Sequence, residues 1–476
     1  MRSTFSGLEI ARSATVASQI ALDVTGQNIA NANTENYTRQ VADLVAVNYN
    51  NATYKSALPY VRSGQGVTVS QISQMRDGFL DSRLRTANAD YNYWNSGLLA
   101  LQDIENVFEE LENDGLHAML GQFYNQLQSF SNNAGNAEHA NIVRSAAEKV
   151  TQVLNQYAFQ LSQIRSEQQG DLQIEVSSVN TLIDKINNVN TLIKDQTIRG
   201  SVTNEMLDMR NGYLDELSAY LDITVTAQSD GTVTISSTGG LDVLESKFSV
   251  IDDNSIIKIM VEGSPATEFI PKSGSFKGHL DILNGSGATI DEFHGLPYYN
   301  NAIDAFAQAF AGTLNSINTL DPSSPKPLFA SKDGETITAA NITISDDWRN
   351  DTRYIVTTTT SNTSANDNII RMINAMDNDI DTAEYPNLSG TFEGFSRMLM
   401  SNIAVDVGYQ KDMNAMSGSI LDSISYQRES IMGVSINEET INMTKYEKAF
   451  QAAARIMTAM DEALDIIINK MGIVGR

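Results

Sequence analysis

From Ser435 onwards the chain places apolar residues at alternating spacings of three and four without a break. Met443, Tyr446, Phe450, Ala453, Met457, Met460, Leu464, Ile467 and Met471 form one seam, and Ala449, Ala452, Ile456, Ala459, Ala463 and Ile466 form a stripe beside it. This period predicts an α-helix with an unusually broad apolar face. Ser435-Ile436-Asn437-Glu438 ahead of it fits a capping box, and Glu439 also suits the positive end of the helix. No other feature constrains the fold as much. Burying one large apolar side chain contributes roughly 1.5–3 kcal/mol, and a face this wide left in water would be an aggregation site.

The opposite end carries a matching but weaker element. Residues 6–32 read as an amphipathic helix with Leu8, Ala11, Thr15, Ser18, Leu22, Thr25 and Ile29 on one line. Ile10, Ala14, Ala17, Ala21 and Val24 lie on a parallel one. The small side chains allow close helix approach but bury little area, so this helix is weak alone. Chain ends usually fray unless they dock. Pairing the two terminal helices would hide one seam of each and leave the flanking stripes in need of partners. Neighbouring copies of the chain are the expected cover.

Between the ends the pattern is mostly helical. Residues 33–75 are mixed, with an extended stretch expected over Val41 to Tyr49 and another at Val67-Thr68-Val69 after the Ser63-Gly64-Gln65-Gly66 turn. Residues 76–200 show sustained three-four spacing, with Val143, Val150, Leu154, Tyr157, Leu161 and Ile164 continuing into Leu172, Val176, Val179, Ile183, Ile186 and Ile193. A further helix is expected at about 204–221. Residues 222–284 turn β-branched and Gly-broken, which predicts a small β insert. Helices are expected at about 288–319, 366–377 and 391–431, with a minor β element within 328–362. The fold class is therefore mainly α with β inserts. Three units are expected: residues 1–60 plus 433–476, a trunk of 61–222 plus 285–432, and an insert of 223–284.

Charge separates the ends from the middle. The net charge is −26, yet the first forty residues balance to zero and the last helix is nearly neutral. Near-neutral ends can pack against copies of themselves, and an acidic middle suits a solvated exterior. The acidity argues against nucleic acid and anionic membrane surfaces as partners. There are no cysteines, which excludes disulfides, thiolate nucleophiles and Cys-ligated metals. No apolar run reaches the ~20 residues of a membrane span. Glu9, Arg12 and Asp23 interrupt what would be the apolar region of a cleavable signal.

Catalytic patterns are missing. His117, His139, His279 and His294 show no metal-ligand spacing, and no GxSxG, Walker or GxGxxG motif occurs. Asp252-Asp253, Asp346-Asp347 and the cluster from Asp377 to Asp381 lack EF-hand spacing and read as solvated loops. The chain is thus expected to be non-enzymatic, without cofactor or metal. The turn from Asn28 to Asn36 has two readings. It ends the first helix through local side-chain bonds, or it contacts neighbouring subunits.

Both ends resemble the flagellar axial proteins, the rod, hook and hook-associated family. Ser6-Gly7-Leu8 opens the first helix as in that family, and Asn28-Ile29-Ala30-Asn31-Ala32-Asn33-Thr34 followed by Tyr37-Thr38-Arg39-Gln40 is similar to its signature. Gln27 stands where Asn is usual and Asn36 where Gly is usual; Asn tolerates a left-handed backbone. Met206-Leu207-Asp208-Met209-Arg210 with Leu214-Asp215-Glu216-Leu217 resembles the hook-associated members. So does Gly433-Val434-Ser435-Ile436-Asn437-Glu438-Glu439 leading into Phe450-Gln451-Ala452-Ala453-Ala454-Arg455-Ile456. The resemblance spans about 1–225 and 389–476.

It implies termini paired in a coiled coil, a helical trunk outside them and variable domains outermost. It implies a structural subunit of the flagellum at the hook–filament junction, exported by the type III route with its N-terminus uncleaved. The implied partners are copies of itself in a ring, the hook protein, a second junction protein on the filament side and a cytoplasmic chaperone on the C-terminal helix. The implied assembly residues are Leu8, Ala11, Thr15, Leu22, Asn28, Ile29, Asn31, Asn33 and Tyr37 with Met443, Tyr446, Phe450, Ala453, Met457, Met460, Leu464 and Ile467. Two alternatives stay open: another axial (rod or hook) subunit, or a non-flagellar acidic surface adhesin or enzyme on a helical stalk.

Overall fold

A computed structural model describes residues 6–47, 66–108, 115–200, 204–263, 265–287, 292–360, 365–379 and 390–467. The chain opens with α1 (Ser6–Ala30), the strands β1 (Gln40–Ala46) and β2 (Val67–Gln74), and the helices α2 (Gly78–Phe108), α3 (Leu116–Ser131), α4 (Ala137–Ile198) and α5 (Asn204–Tyr220). Short strands follow: β3 (Thr224–Ala227), β4 (Val233–Ser236), β5 (Phe248–Asp253), β6 (Ile256–Val261) and β7 (Thr267–Phe269). Then come α6 (Ser275–Asn284), α7 (Leu296–Asn318), β8 (Phe329–Ser331), β9 (Ile342–Ile344), α8 (Asp346–Asn350), α9 (Asp367–Asp377), α10 (Phe392–Met432) and α11 (Ile436–Asp465). The molecule is mainly α, with small antiparallel sheets.

α4 is the organising rod. Its 62 residues span roughly 90 Å at 1.5 Å per residue. Its apolar line from Val143 to Ile193 is buried throughout. Asn136 caps it, accepting from the Glu138 N–H at 2.8 Å. One continuous core joins α4 to α3, α5, α6, α7, α9, the second half of α2 and the first half of α10. At its centre Phe306 and Phe310 meet Phe392 edge-on at 5.6 and 5.5 Å. The strands share this core through Ile235, Phe248, Ile259 and Phe329. α2 and α10 continue beyond it as an antiparallel pair with its own small cluster, Leu84, Ala87 and Ile424.

Four sheets occur among the described residues: β1–β2, β3–β4, β5–β6–β7 and β8–β9. Sheets this short are marginal alone, and each is fastened to a helix in the same way. A helix-borne Asn amide bonds both the N–H and the C=O of one strand residue. Asn28 does so for Gln40 at 3.0 and 2.9 Å, and Asn190 for Val233 at 3.2 and 3.0 Å. Asn180 holds Phe248 at 2.9 and 2.8 Å, Asn284 holds Ile257 at 2.8 Å twice, and Asn315 holds Phe329 at 2.8 Å twice. The amide stands in for a missing neighbouring strand, which satisfies buried backbone groups and blocks a sticky edge.

Several expectations need revision. The stretch 222–284 is not β throughout, because its last ten residues form α6. Phe276, Ile282 and Leu283 of that helix lie in the trunk core. The minor β element expected within 328–362 is the β8–β9 pair, after which Ser345 caps α8 through the Trp348 N–H at 3.3 Å. α7 begins at Leu296 rather than 288. Tyr49, Ser63-Gly64-Gln65, residues 288–291, Asp381 and Met471 lie outside the described residues. No described helix is long and apolar enough to cross a membrane.

Candidate assembly surface

α1 and α11 run antiparallel. Gly7, at the start of α1, lies under the Met460 side chain with no room for a Cβ. At the other end Asn28 reaches Glu439. The two apolar lines of α11 have different fates. In the seam, Ala453 and Leu464 are buried, and Tyr446, Phe450, Met457 and Met460 are half-buried. Met443 and Ile467, nearer its ends, are exposed. The whole flanking stripe, from Ala449 and Ala452 through Ile456, Ala459 and Ala463 to Ile466, faces solvent. Ile456 is 54% exposed, and Ile441, one turn before the seam closes, is 69% exposed.

α1 is covered on two sides. Ala11, Ala17, Ala21 and Val24 are buried, while Leu8, Thr15, Leu22 and Ile29 are half-buried. Ala21 and Val24 pack with Ala42 of β1 and with Val69 and Ile72 of β2, and Tyr446 closes the group from α11. The second stripe of α1 is therefore largely occupied by the β1–β2 hairpin within the same chain. Among the described residues nothing covers the second stripe of α11. Side-chain size accounts for the choice: the large seam residues of α11 fill the space around an Ala-rich α1, and the smaller flank is turned outward.

The terminal module joins the trunk through polar contacts, since its apolar cluster is separate from the trunk core. Asn28, 1% exposed, is the knot. Beyond its two bonds to Gln40, it accepts from the Tyr37 hydroxyl at 2.9 Å and donates to Glu439 Oε2 at 3.2 Å. Arg39 pairs with buried Glu439 at 2.7 Å and with Glu438 at 3.1 Å. Its N–H donates to the Met432 carbonyl at 2.9 Å. The turn between is local: the Asn31 amide donates to the Gln27 carbonyl at 3.0 Å, Asn33 is exposed, and Asn36 adopts φ 60°, the left-handed conformation that Asn tolerates.

α5 forms the trunk side of this joint. Asp208 accepts from the Thr38 N–H at 3.2 Å and the Gln74 amide at 2.8 Å, and the Asn204 amide donates to Gln40 Oε1 at 3.1 Å. Asp215 binds Arg85 at 2.8 Å and Arg428 at 2.5 Å. Arg76 binds Asp81 at 2.6 Å. Burial pushes the Asp208 carboxyl above its ordinary range, against the pull of Thr38, Arg76 and Gln74. Burial, aided by the negative charge of Asp208, Glu205 and Glu439, pushes the Tyr37 phenol up to about 12. Among the described residues the buried carboxylates and guanidinium groups are Asp81, Arg85, Asp208, Arg210 and Glu439; all but Arg210, which donates to Asn190 and the Gly231 carbonyl, are paired here. Such charges are costly unless paired, so the joint has a defined geometry. The sequence reading picked Asn28 and Tyr37 but missed Arg39, Gln40, Asp208 and Glu439 as a set, although each lies in a segment it had singled out.

Among the described residues no group of three or more His, Asp or Glu side chains is arranged to hold a metal ion. The geometry offers surfaces and a rigid joint.

Known proteins resemble the chain along its length. The family model for the flagellar hook-associated protein FlgK helical domain matches residues 101–323. The model for the flagella basal body rod protein matches 8–38, and that for the flagellar basal body rod FlgEFG protein C-terminal region matches 427–470. Flagellar hook-associated protein 1 of Bacillus subtilis is 28% identical over all of both chains. The protein of that name from Escherichia coli is 22% identical over 95% of this chain and 97% of its own. The solved structure of the flagellar hook junction protein FlgK from Burkholderia pseudomallei aligns with a TM-score of 0.46 at 21% identity, covering 52% of this chain and 46% of that one.

Proposed function

The chain belongs to the flagellar rod, hook and hook-associated proteins, and from that premise we propose that it assembles at the hook–filament junction through the outward face of α11. It is a structural protein of the flagellum. The likeness to hook-associated protein 1 over full length favours the junction over a rod or hook position.

One observation carries the assembly reading. Among the described residues the flanking stripe of α11 lies open, with Ile456 more than half exposed and Ile441 ahead of it likewise. An apolar stripe along a helix gains from burial against another such helix. In this reading the seam residues Ala453 and Leu464 hold the hairpin within one molecule, as Ala11 does from α1. Met443, Ile467 and the flank meet neighbouring copies. The ring, the hook protein, a filament-side junction protein and a chaperone that covers α11 before export are the partners that follow. In this reading α1, β1, β2 and α11 act as the assembly unit, and the strands β3 to β7 as an insert on the trunk.

The test is Ile456→Asp in a motile strain. A charge on an exposed position leaves the monomer's melting temperature within about 1 °C, since surface changes usually stay within ±0.5 kcal/mol. Electron microscopy should show hooks without filaments. Normal filaments on cells carrying this variant would overturn the proposal.

A further inference from the structure

A cleft of about 780 Å³ opens between α2, α6, α10 and the β6–β7 edge, within the roughly 300–1,000 Å³ of small-molecule sites. The assembly reading makes no use of it. Its wall is aromatic: Trp94 stands edge-on to Tyr93 and to Tyr409 with ring centroids 4.7 and 5.9 Å apart, and Tyr409 is 58% exposed. Its floor is polar and already internally matched. Asp406 accepts from His294 Nδ1 at 2.8 Å and from the Tyr299 hydroxyl at 2.7 Å. Asp281 accepts from the Tyr93 hydroxyl at 3.0 Å and from the Lys277 ammonium. Gln410, 3% exposed, closes the floor with its amide packed against Gly97 of α2.

These features narrow the occupant. A wholly apolar ligand would strip water from carboxylates and ammonium and return no hydrogen bonds. An ionic ligand would find Asp281 and Asp406 already matched by Lys277, His294 and tyrosine hydroxyls. It would find Glu268 facing Lys258 at 3.9 Å and Glu292 accepting from the Ser286 hydroxyl at 2.9 Å. What remains is a ligand with apolar faces to lie on rings and neutral hydroxyls that both donate and accept. Asp281 and Asp406 each still have free lone pairs for such hydroxyls. We propose that this cleft binds a neutral oligosaccharide, its sugar faces on Trp94 and Tyr409 and its hydroxyls on Asp281 and Asp406. The site is independent of assembly through α11.

Trp94 and the fully buried Trp348 are the two tryptophans of the chain, so changes in emission on binding report the cleft. The full-length protein is titrated with maltotetraose and with chitotetraose, as hexose and N-acetylhexosamine probes. A saturable emission change with Kd at or below about 1 mM is expected for at least one, weakened at least about tenfold in Tyr409→Ala. Tyr409 is mostly exposed, so this variant should melt like the parent; Trp94→Phe, followed by calorimetry, is the second variant and should weaken the same sugar. No saturable response to either probe up to about 10 mM overturns the proposal. So does binding unchanged in both variants. An emission shift that follows protein concentration without sugar would assign the cleft to a second copy instead, and would equally overturn it.

Discussion

Replacing Asn28 by alanine removes four hydrogen bonds from a side chain that is 1% exposed. Their partners do not suffer equally. The Tyr37 hydroxyl is half-buried and can turn to water, and Glu439 keeps Arg39 at 2.7 Å. The Gln40 N–H and C=O point away from β2 and have no substitute. A buried backbone group left unpaired costs about 1–3 kcal/mol, so the pair loses about 2–6 kcal/mol, and a water entering the polar space left by the amide trims this to about 3 kcal/mol. The loss should stay local, because the apolar cluster of the terminal module is separate from the trunk core. Hydrogen exchange followed by mass spectrometry is the assay. Amides of β1 and of the facing ends of α1 and α11 should exchange roughly a hundredfold faster in Asn28→Ala, while α4 is unchanged. Asn28→Asp should be no better, since a second carboxylate would face Glu439 and the Gln40 carbonyl would lose its donor. Exchange at the joint within about twofold of the parent would refute the idea that this amide ties the ends to the trunk.

Two further outcomes follow from the same bonding logic. Asn180→Ala should cost the trunk about 2 kcal/mol in urea unfolding by stranding the Phe248 N–H and C=O, and Asn180→Asp should not rescue it, because a carboxylate has no donor for the carbonyl; a midpoint equal to the parent's would count against the clamp. Asp367 accepts from the Thr358 hydroxyl at 2.6 Å and the Thr359 N–H at 2.9 Å, and these bonds, the Thr358 and Thr359 hydroxyls first, lower its pKa from 3.8 to about 2. Because the folded value is depressed, its contribution is complete above pH 3.8 and disappears as the pH falls through about 2; an NMR titration midpoint near 3.8 would contradict the bonding seen here.

How much of this was legible in the sequence depended on whether a feature repeats. The long helices were, because their apolar lines recur over many turns; the line from Val143 to Ile193 is buried along its whole length. Ser435 was legible as a cap, and accepts from the Glu438 N–H at 3.4 Å. The left-handed turn at Asn36 was anticipated from residue type. α6 was not, because ten residues give too few turns to show a period beside the β-branched runs. The Asn clamps were invisible for a different reason. A clamp is one residue paired to a distant backbone, and nothing in its neighbours marks it. Asn28 was picked for its motif and not as a clamp, and Asn190 left a trace because it interrupts the line Ile183, Ile186, Ile193 where an apolar residue belongs.

For the candidate surface, the sequence identified two apolar lines on the last helix but had no means of telling inward from outward. Both are similarly apolar, and the choice is made by the partner. The Ala-rich α1 leaves a gap that Tyr446, Phe450, Met457 and Met460 fill better than Ala449, Ala452 and Ala459 would. Nor did the sequence foresee that β1 and β2 would cover the second face of α1, because their apolar residues become a surface only once the hairpin is paired in register. The polar joint was legible residue by residue and not as a network, since Thr38 meets Asp208 across 170 positions and Arg39 meets Glu439 across 400.

Radical footprinting of the outer face of α11 tests the account most directly. Met443 at 36%, Ile456 at 54% and Ile441 at 69% exposure should be oxidised readily in the isolated chain. In purified hook–filament junction particles the same side chains should be shielded at least about tenfold, with buried Ala453 and Leu464 unreactive in both. Equal oxidation of the three residues in the free and assembled states would contradict assembly through that face.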